Sequence, residues 1–221
     1  MRLEESLSIK KIIKEYYKNN NHFNYVINLG SGNIEGLKKT KPWVHKNIFN
    51  MLVVSGSKIL HADIKDIPGI DIIQDLSLPN SLDFCDQLSG SKLFILANVL
   101  EHMPKKFHSD FLNKIYAKMA ATDGLIISAP YKYPYHKDPI DNMYRPNPDQ
   151  LKTLLPLKWI ASEIVTAGSY QEQFSKLKLK KKIIKLLRPL WIFQKPSKYL
   201  ENHRLIYLFR KFKISIVFGI K

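Results

Sequence analysis

Five short stretches of this chain carry side chains able to hold a ligand or move a proton. The first is Asn28-Leu29-Gly30-Ser31-Gly32, where an apolar run ends in two glycines one residue apart. Glycine lets a ligand approach the backbone closely, because no Cβ stands in the way. The second is Asp63, a carboxylate able to accept hydrogen bonds from the two hydroxyls of a ribose. The third is Asp75-Leu76, suited to border an adenine ring. Either aspartate also suits an ordinary turn or cap. The fourth is Asn98-Val99-Leu100-Glu101-His102, where Glu101 and His102 also fit helix-start chemistry and packing. The fifth is the Pro- and Tyr-rich stretch from Pro130 to Pro146, with Tyr133, Tyr135, His136, Asp138, Asp141 and Arg145. Histidine has a reference pKa near neutrality, so His136 is the best general base. Asp138 or Asp141 can orient it or take its role, and Arg145 can hold an anion. The tyrosines can wall a pocket. A metal site from His136, Asp138 and Asp141 is conceivable on residue type, but no metal is assigned.

The elements that must position these groups follow from hydropathy patterning. Leu3 to Asn20 has a helical apolar period. Apolar strands are expected over Tyr25–Leu29, Lys58–Ala62, Ile70–Ile73, Lys92–Ala97, Gly124–Ala129, Trp159–Thr166 and Ile214–Ile220. Helices are expected over Trp43–Val54, Leu82–Gln87, His108–Ala121 and Asp149–Leu155. Strands alternating with helices imply a parallel, doubly wound α/β sheet. Ligands bind such sheets at the carboxyl ends of the strands, and all five stretches fall there. A nicotinamide cofactor is disfavoured. Glu35 stands where G-x-G-x-x-G needs its third glycine, and the interval from Gly32 to Asp63 exceeds the roughly twenty residues of dinucleotide folds.

The 221 residues fit one domain, with a net charge of +16. The charge is concentrated: Lys176 to Lys213 holds ten Lys and three Arg against the single acid Glu201, so it carries +12 of that excess. Ile183, Ile184, Leu186, Leu187, Leu190, Trp191, Ile192 and Phe193 lie between its charges. Such a segment can pack on the core as a lid, lie on an anionic membrane surface, or meet nucleic acid. Cys85 is the one cysteine, which excludes an internal disulfide and fits a reducing compartment. The start has no apolar block of a secretory signal, so a cytoplasmic protein is expected, with peripheral contact at the inner membrane face.

Taken together, Val26-Ile27-Asn28-Leu29-Gly30-Ser31-Gly32, Ala62-Asp63, Asp71-Ile72-Ile73-Gln74-Asp75-Leu76 and Asn98-Val99-Leu100-Glu101-His102 resemble class I S-adenosylmethionine-dependent methyltransferases. The closest pattern is that of the small "type 11" group. The resemblance implies a Rossmann-like, mostly parallel seven-stranded sheet with an antiparallel last strand. It implies one methyltransferase domain over residues 1–221, with an N-terminal helix (1–21) and a basic amphipathic insertion (174–213) before the last strand. By the same resemblance Asn28, Gly30, Ser31, Gly32, Asp63, Asp75, Leu76 and Asn98 hold S-adenosylmethionine. Asn28 stands where the family usually carries an acid linked to the methionine end. The stretch from Pro134 to Asp141 resembles methyltransferases of surface-polysaccharide pathways. That implies O-methylation of a saccharide or surface-glycan precursor, phosphorylated or lipid-linked. His136, Asp141 and Asp138 are then the catalytic candidates, and Tyr133, Tyr135, Arg145 and His102 the acceptor-binding ones. Two alternatives stand beside it: a nucleic-acid methyltransferase, suggested by the charge, and a non-catalytic binding protein of the same fold.

Overall fold

The computed structural model describes residues 1–30, 32, 34–136, 140–190 and 202–221. Ser31, Asp138, Trp191, Ile192, Phe193 and Glu201, all singled out above, lie outside the described residues. Helix α1 (Leu3–Tyr17) leads into strand β1 (Tyr25–Leu29). Next come α2 (Ile34–Thr40), α3 (Pro42–Val44), a π-helical turn (His45–Phe49) and α4 (Asn50–Val54). Strands β2 (Lys58–Asp63), β3 (Ile72–Ile73) and β4 (Lys92–Ala97) follow. Helix α5 (His108–Lys118) and strand β5 (Gly124–Lys132) come next, then α6 (Pro148–Lys152) and β6 (Lys158–Ser169). Helices α7 (Tyr170–Ser175) and α8 (Leu179–Leu187) precede β7 (Lys211–Ile220).

The strands form one seven-stranded sheet in the order β3-β2-β1-β4-β5-β7-β6. Pairings among β1 to β5 are parallel, and β7 runs antiparallel between β5 and β6. All six residues of β4 are buried, as expected of a parallel strand covered on both faces. Two apolar clusters cover the faces. One is built on Phe94, Leu96, Phe111 and Ile115, the other on α1 (Ile9, Ile13), Phe49, Leu93 and Ile95. The order reverses between β1 and β4, the switch point at whose carboxyl side such sheets bind ligands.

Three of the differences in strand length from expectation have a local reason. β3 has two residues rather than four. The Asp71 carboxylate accepts the His61 backbone N–H at 2.8 Å and so replaces the ladder bond that would lengthen the strand. β5 continues through Pro130, which lies in the antiparallel pairing with β7. A register shift between Pro130 and Lys132 accommodates the missing N–H. β7 begins at Lys211, three residues before Ile214, because it extends along the longer β6.

At the opposite, amino end of the sheet, Asp123 is fully buried. It accepts the Lys92 backbone N–H (2.6 Å) and the Ala120 N–H (2.9 Å) and pairs with Lys92 Nζ (3.4 Å). Asp123→Ala leaves a buried ammonium unpaired and is expected to cost about 3 kcal/mol or more in chemical denaturation. Cys85 is buried in the core beneath β4, and burial pushes its thiol up to about 12. It is therefore expected to stay unreactive towards a thiol reagent at pH about 8 in the folded protein and to react fully once denatured. Labelling of the native state would contradict that burial.

Candidate functional site

Glycines mark the carboxyl end of β1. Gly30 and Gly32 both have positive φ, +66° and +80°, conformations that side-chain-bearing residues rarely adopt. They differ in surroundings. A Cβ on Gly30 would meet the Val99 methyls at 3.3 Å, so the turn after β4 packs directly over it. A Cβ on Gly32 would meet nothing within 4 Å, so the backbone there faces open space. The Gly32 N–H donates to Asp63 Oδ2 at 3.1 Å, and the Lys65 N–H donates to Oδ1 at 3.1 Å. Asp63 is only 7% exposed at the end of β2. A carboxylate has about four acceptor sites, so two remain for hydroxyl donors.

Around this cradle Leu76 packs against Gly30, with its Cδ1 3.6 Å from the Cβ position there. The Asp75 carboxylate accepts the backbone N–H and hydroxyl of Ser77, the ordinary turn role. Those bonds hold its pKa below the usual value. Asn28 is buried, and its side chain meets His61 Nδ1 at 2.8 Å on the neighbouring strand.

The turn after β4 is gripped from two sides. Asn98 has φ +56°, a left-handed conformation asparagine tolerates. Its amide donates to Glu5 Oε1 at 2.7 Å, and the Ser128 hydroxyl at β5 donates to the same oxygen at 2.7 Å. Glu5 Oε2 accepts the Arg2 N–H at 3.0 Å, capping α1. Glu5 is thus a fully buried carboxylate set by α1 across the carboxyl ends of β4 and β5. Sequence reasoning missed it. An acid in a first helical turn reads as a cap and dipole partner, and only the tertiary contact reveals more.

From the other side, the segment after β5 folds back onto Leu100–His102. The Asn142 N–H donates to the Glu101 carbonyl at 2.9 Å, and its amide donates to the Leu100 carbonyl at 2.7 Å. Asp141 organises this segment. It accepts the His136 backbone N–H (2.9 Å), the Met143 N–H (2.9 Å) and both terminal nitrogens of Arg145 (3.0 and 2.6 Å). Burial pushes the Asp141 carboxyl up, but the bonds from His136, Arg145 and Met143 outweigh it and hold it well below the usual carboxylate range. His136 Nδ1 lies 3.3 Å from Asp141 Oδ2. Arg145 also donates to the Tyr133 and Pro134 carbonyls, so its guanidinium is engaged within the loop. Tyr133 receives a hydrogen bond from Arg2 Nε on its hydroxyl and stands 5.5 Å, ring to ring, from His136. Tyr135 is tied by its backbone to His203 and Arg204 of the basic segment.

His102 and His136 meet edge to face at 5.1 Å, and His102 Nε2 is 3.9 Å from Glu101 Oε1. Glu101 is fully buried, and neither carboxylate oxygen accepts a hydrogen bond from another residue. Burial pushes its carboxyl up to about 8, outweighing the lowering by its own backbone N–H and by the positive charge of Arg145, while the negative charges of Glu5 and Asp141 add a smaller rise. A carboxyl whose folded pKa is raised carries no penalty below its unfolded value near 4.5. Stability then falls as pH rises towards about 8, where the cost levels off. Glu101→Gln is therefore expected to flatten the loss of stability between pH about 5 and 8, by up to ~4 kcal/mol. Denaturation midpoints across that range check it, and parallel curves for the two proteins would contradict it.

The structure thus brings Gly30, Gly32, Asp63 and Leu76 together around one cradle. It brings His136, Asp141, Tyr133, Arg145 and His102 together in one adjoining cluster. The Asn98 side chain is turned towards Glu5.

No protein-family model matches the chain, and no curated protein sequence matches it. Solved structures do. A SAM-dependent methyltransferase from Archaeoglobus fulgidus superposes with a TM-score of 0.50 at 14% identity, over 98% of this chain and 94% of that one. Coclaurine N-methyltransferase, solved with N-methylheliamine and SAH, gives 0.54 at 11% identity over 98% of this chain and 72% of that one. The [4+2]-cyclase SpnF gives 0.51 at 11% identity over 96% and 80%. Identities this low show the fold, which is that of class I SAM-dependent methyltransferases. One fold hosts several chemistries, as the cyclase illustrates, so function must be argued from the site.

Proposed function

We propose that this chain binds S-adenosylmethionine in the Gly30–Gly32 cradle and transfers its methyl group to a hydroxyl of a saccharide or related glycan precursor. The observation that carries the cofactor assignment is the open backbone at Gly32, tied to the nearly buried carboxylate of Asp63 at the switch point of the sheet. The residues fit the group. Gly32 admits a ligand against its backbone, Asp63 keeps acceptor sites for ribose hydroxyls, and Leu76 offers an apolar wall for adenine. The SAH carried by coclaurine N-methyltransferase, a chain of the same fold, supports the same choice. Asn28 is uncharged, and the buried carboxylate of Glu5 beside Asn98 supplies negative charge at this end of the sheet.

When bound, S-adenosylmethionine supplies an electrophilic sulfonium methyl. The chain's own work is to position the acceptor in line and to receive its proton. His136 is the base in this reading. Asp141 holds its backbone and stands beside Nδ1, and Arg145 keeps Asp141 ionised and in place. Tyr133 and Tyr135 border the acceptor, and the loop around them supports a hydroxylated, ring-shaped partner. Calorimetry with S-adenosylmethionine and SAH tests the cofactor assignment, and turnover with nucleoside-diphosphate sugars and glycan precursors tests the acceptor.

A second observation favours contact with a membrane surface. No described helix is long and apolar enough to cross a membrane. In α8, however, Leu179, Ile183, Ile184, Leu186 and Leu187 are all exposed, and none of the helix is buried. Lys180, Lys181, Lys182 and Lys185 lie between them. Apolar residues left in water beside lysines suit an anionic lipid surface, where a lipid-linked acceptor would be presented. The chain is expected to co-sediment with phosphatidylglycerol vesicles at low salt and not with phosphatidylcholine ones. Leu186→Ser with Leu187→Ser should release it. Equal binding to both vesicles, or tighter binding to RNA than to vesicles, would overturn this contact.

A further inference from the structure

We infer that Glu101, His102 and His136 form a site for a divalent first-row transition-metal ion. One ligand atom from each of the three lies within 4.8 Å of the others. Around an ion with bonds of about 2.1 Å, tetrahedral ligands stand roughly 3.4 Å apart. Glu101 Oε1 and His102 Nε2 are already at 3.9 Å, so small side-chain rotations close the set.

Three observations point to an ion rather than to a packed cluster. Both Glu101 oxygens are buried without a hydrogen-bond donor from another residue. A buried carboxylate in that condition is costly, and a cation at the cluster removes the cost. His102 Nδ1 is 2.5 Å from the Ile140 carbonyl oxygen. Donation there places the proton on Nδ1 and the lone pair on Nε2, which faces Glu101. His136 Nδ1 is itself buried without a hydrogen-bond partner, with Asp141 Oδ2 3.3 Å away, so this ring too has a nitrogen left unsatisfied by the protein. Ligating histidines usually carry such a carbonyl or carboxylate on the second nitrogen. Two imidazoles and one carboxylate select zinc, cobalt(II) or nickel(II) over magnesium, which prefers oxygen ligands. Three protein ligands leave a coordination position for the acceptor.

The use of the ion rests on the methyl-transfer reading. The acceptor hydroxyl oxygen takes the open position, its acidity rises, and its proton passes to solvent. That oxygen then forms a bond to the methyl carbon as the carbon–sulfur bond breaks, the electron pair remaining on sulfur. His136 is then a ligand rather than the base.

Protein stripped with a chelator is titrated with Zn²⁺ by calorimetry and with Co²⁺ by visible absorption, and SAH binding is measured on the same samples. One equivalent of ion is expected, at micromolar dissociation constants or tighter, with visible bands for Co²⁺. His102→Ala and Glu101→Gln should each weaken ion binding at least about tenfold and leave SAH affinity within about twofold, which also reports correct folding. No saturable binding of either ion to the wild-type chain up to about 1 mM overturns the site, as does unchanged affinity in both variants. Ion binding without SAH binding keeps the site and overturns the methyl-transfer reading. The two failures are therefore separate.

Discussion

Replacing His136 by alanine is expected to cut turnover by about a hundredfold or more, with SAH affinity changed by less than about twofold. The expectation follows from where the side chain stands. Its ring meets His102 at 5.1 Å and Tyr133 at 5.5 Å, and Asp141 fixes its backbone. The Gly30–Gly32 cradle and Asp63 do not depend on it. Base and metal ligand are both removed by the substitution, so the loss holds on either role. The roles part on chelation. A base leaves activity insensitive to chelator, whereas a ligand makes the wild-type enzyme lose activity on chelation and regain it with Zn²⁺ or Co²⁺. A His136→Ala rate near that of the wild type would remove the residue from the reaction altogether.

Asp63→Ala is expected to weaken S-adenosylmethionine and SAH by about a hundredfold. A hydrogen bond to a charged group is worth roughly 1.5–3 kcal/mol, and two ribose hydroxyls are at stake. The same carboxylate holds the Gly32 and Lys65 amides, so the variant also loosens the cradle. Asp63→Asn separates the effects. It keeps a carbonyl for one amide and loses the charge, and should fall between the two. Denaturation curves for both variants check that the fold survives.

Much of this fold was legible because parallel strands covered on both faces read as unbroken apolar runs. Lys92–Ala97 and Tyr25–Leu29 were bounded correctly on that signal alone. The misses have particular causes. Pro130 reads as a strand stop, yet a register shift carries β5 past it. Asp71 shortens β3 by a side-chain bond invisible to hydropathy.

In the site, the glycine turn and Asp63 were legible because glycine geometry and carboxylate placement are local properties. Arg145 reads as an anion holder from its type, but Asp141 engages it. Glu101 reads as a helix start. Its isolation in the core depends on packing of the segment after β5. Glu5 reaches partners 93 and 123 residues away, a contact no spacing rule reports. Of the expected site residues, Ser31 and Asp138 lie outside the described residues.

The central claim is that the backbone at Gly32 and the carboxylate of Asp63 hold a ribosyl sulfonium cofactor. Isothermal titration of the wild-type chain with S-adenosylmethionine and with SAH, repeated on Asp63→Ala, tests it directly. Saturable binding of one equivalent of each, weakened about a hundredfold in the variant, is the predicted result. No binding of either compound to the wild-type chain at millimolar concentration, or equal affinity in the variant, would contradict it.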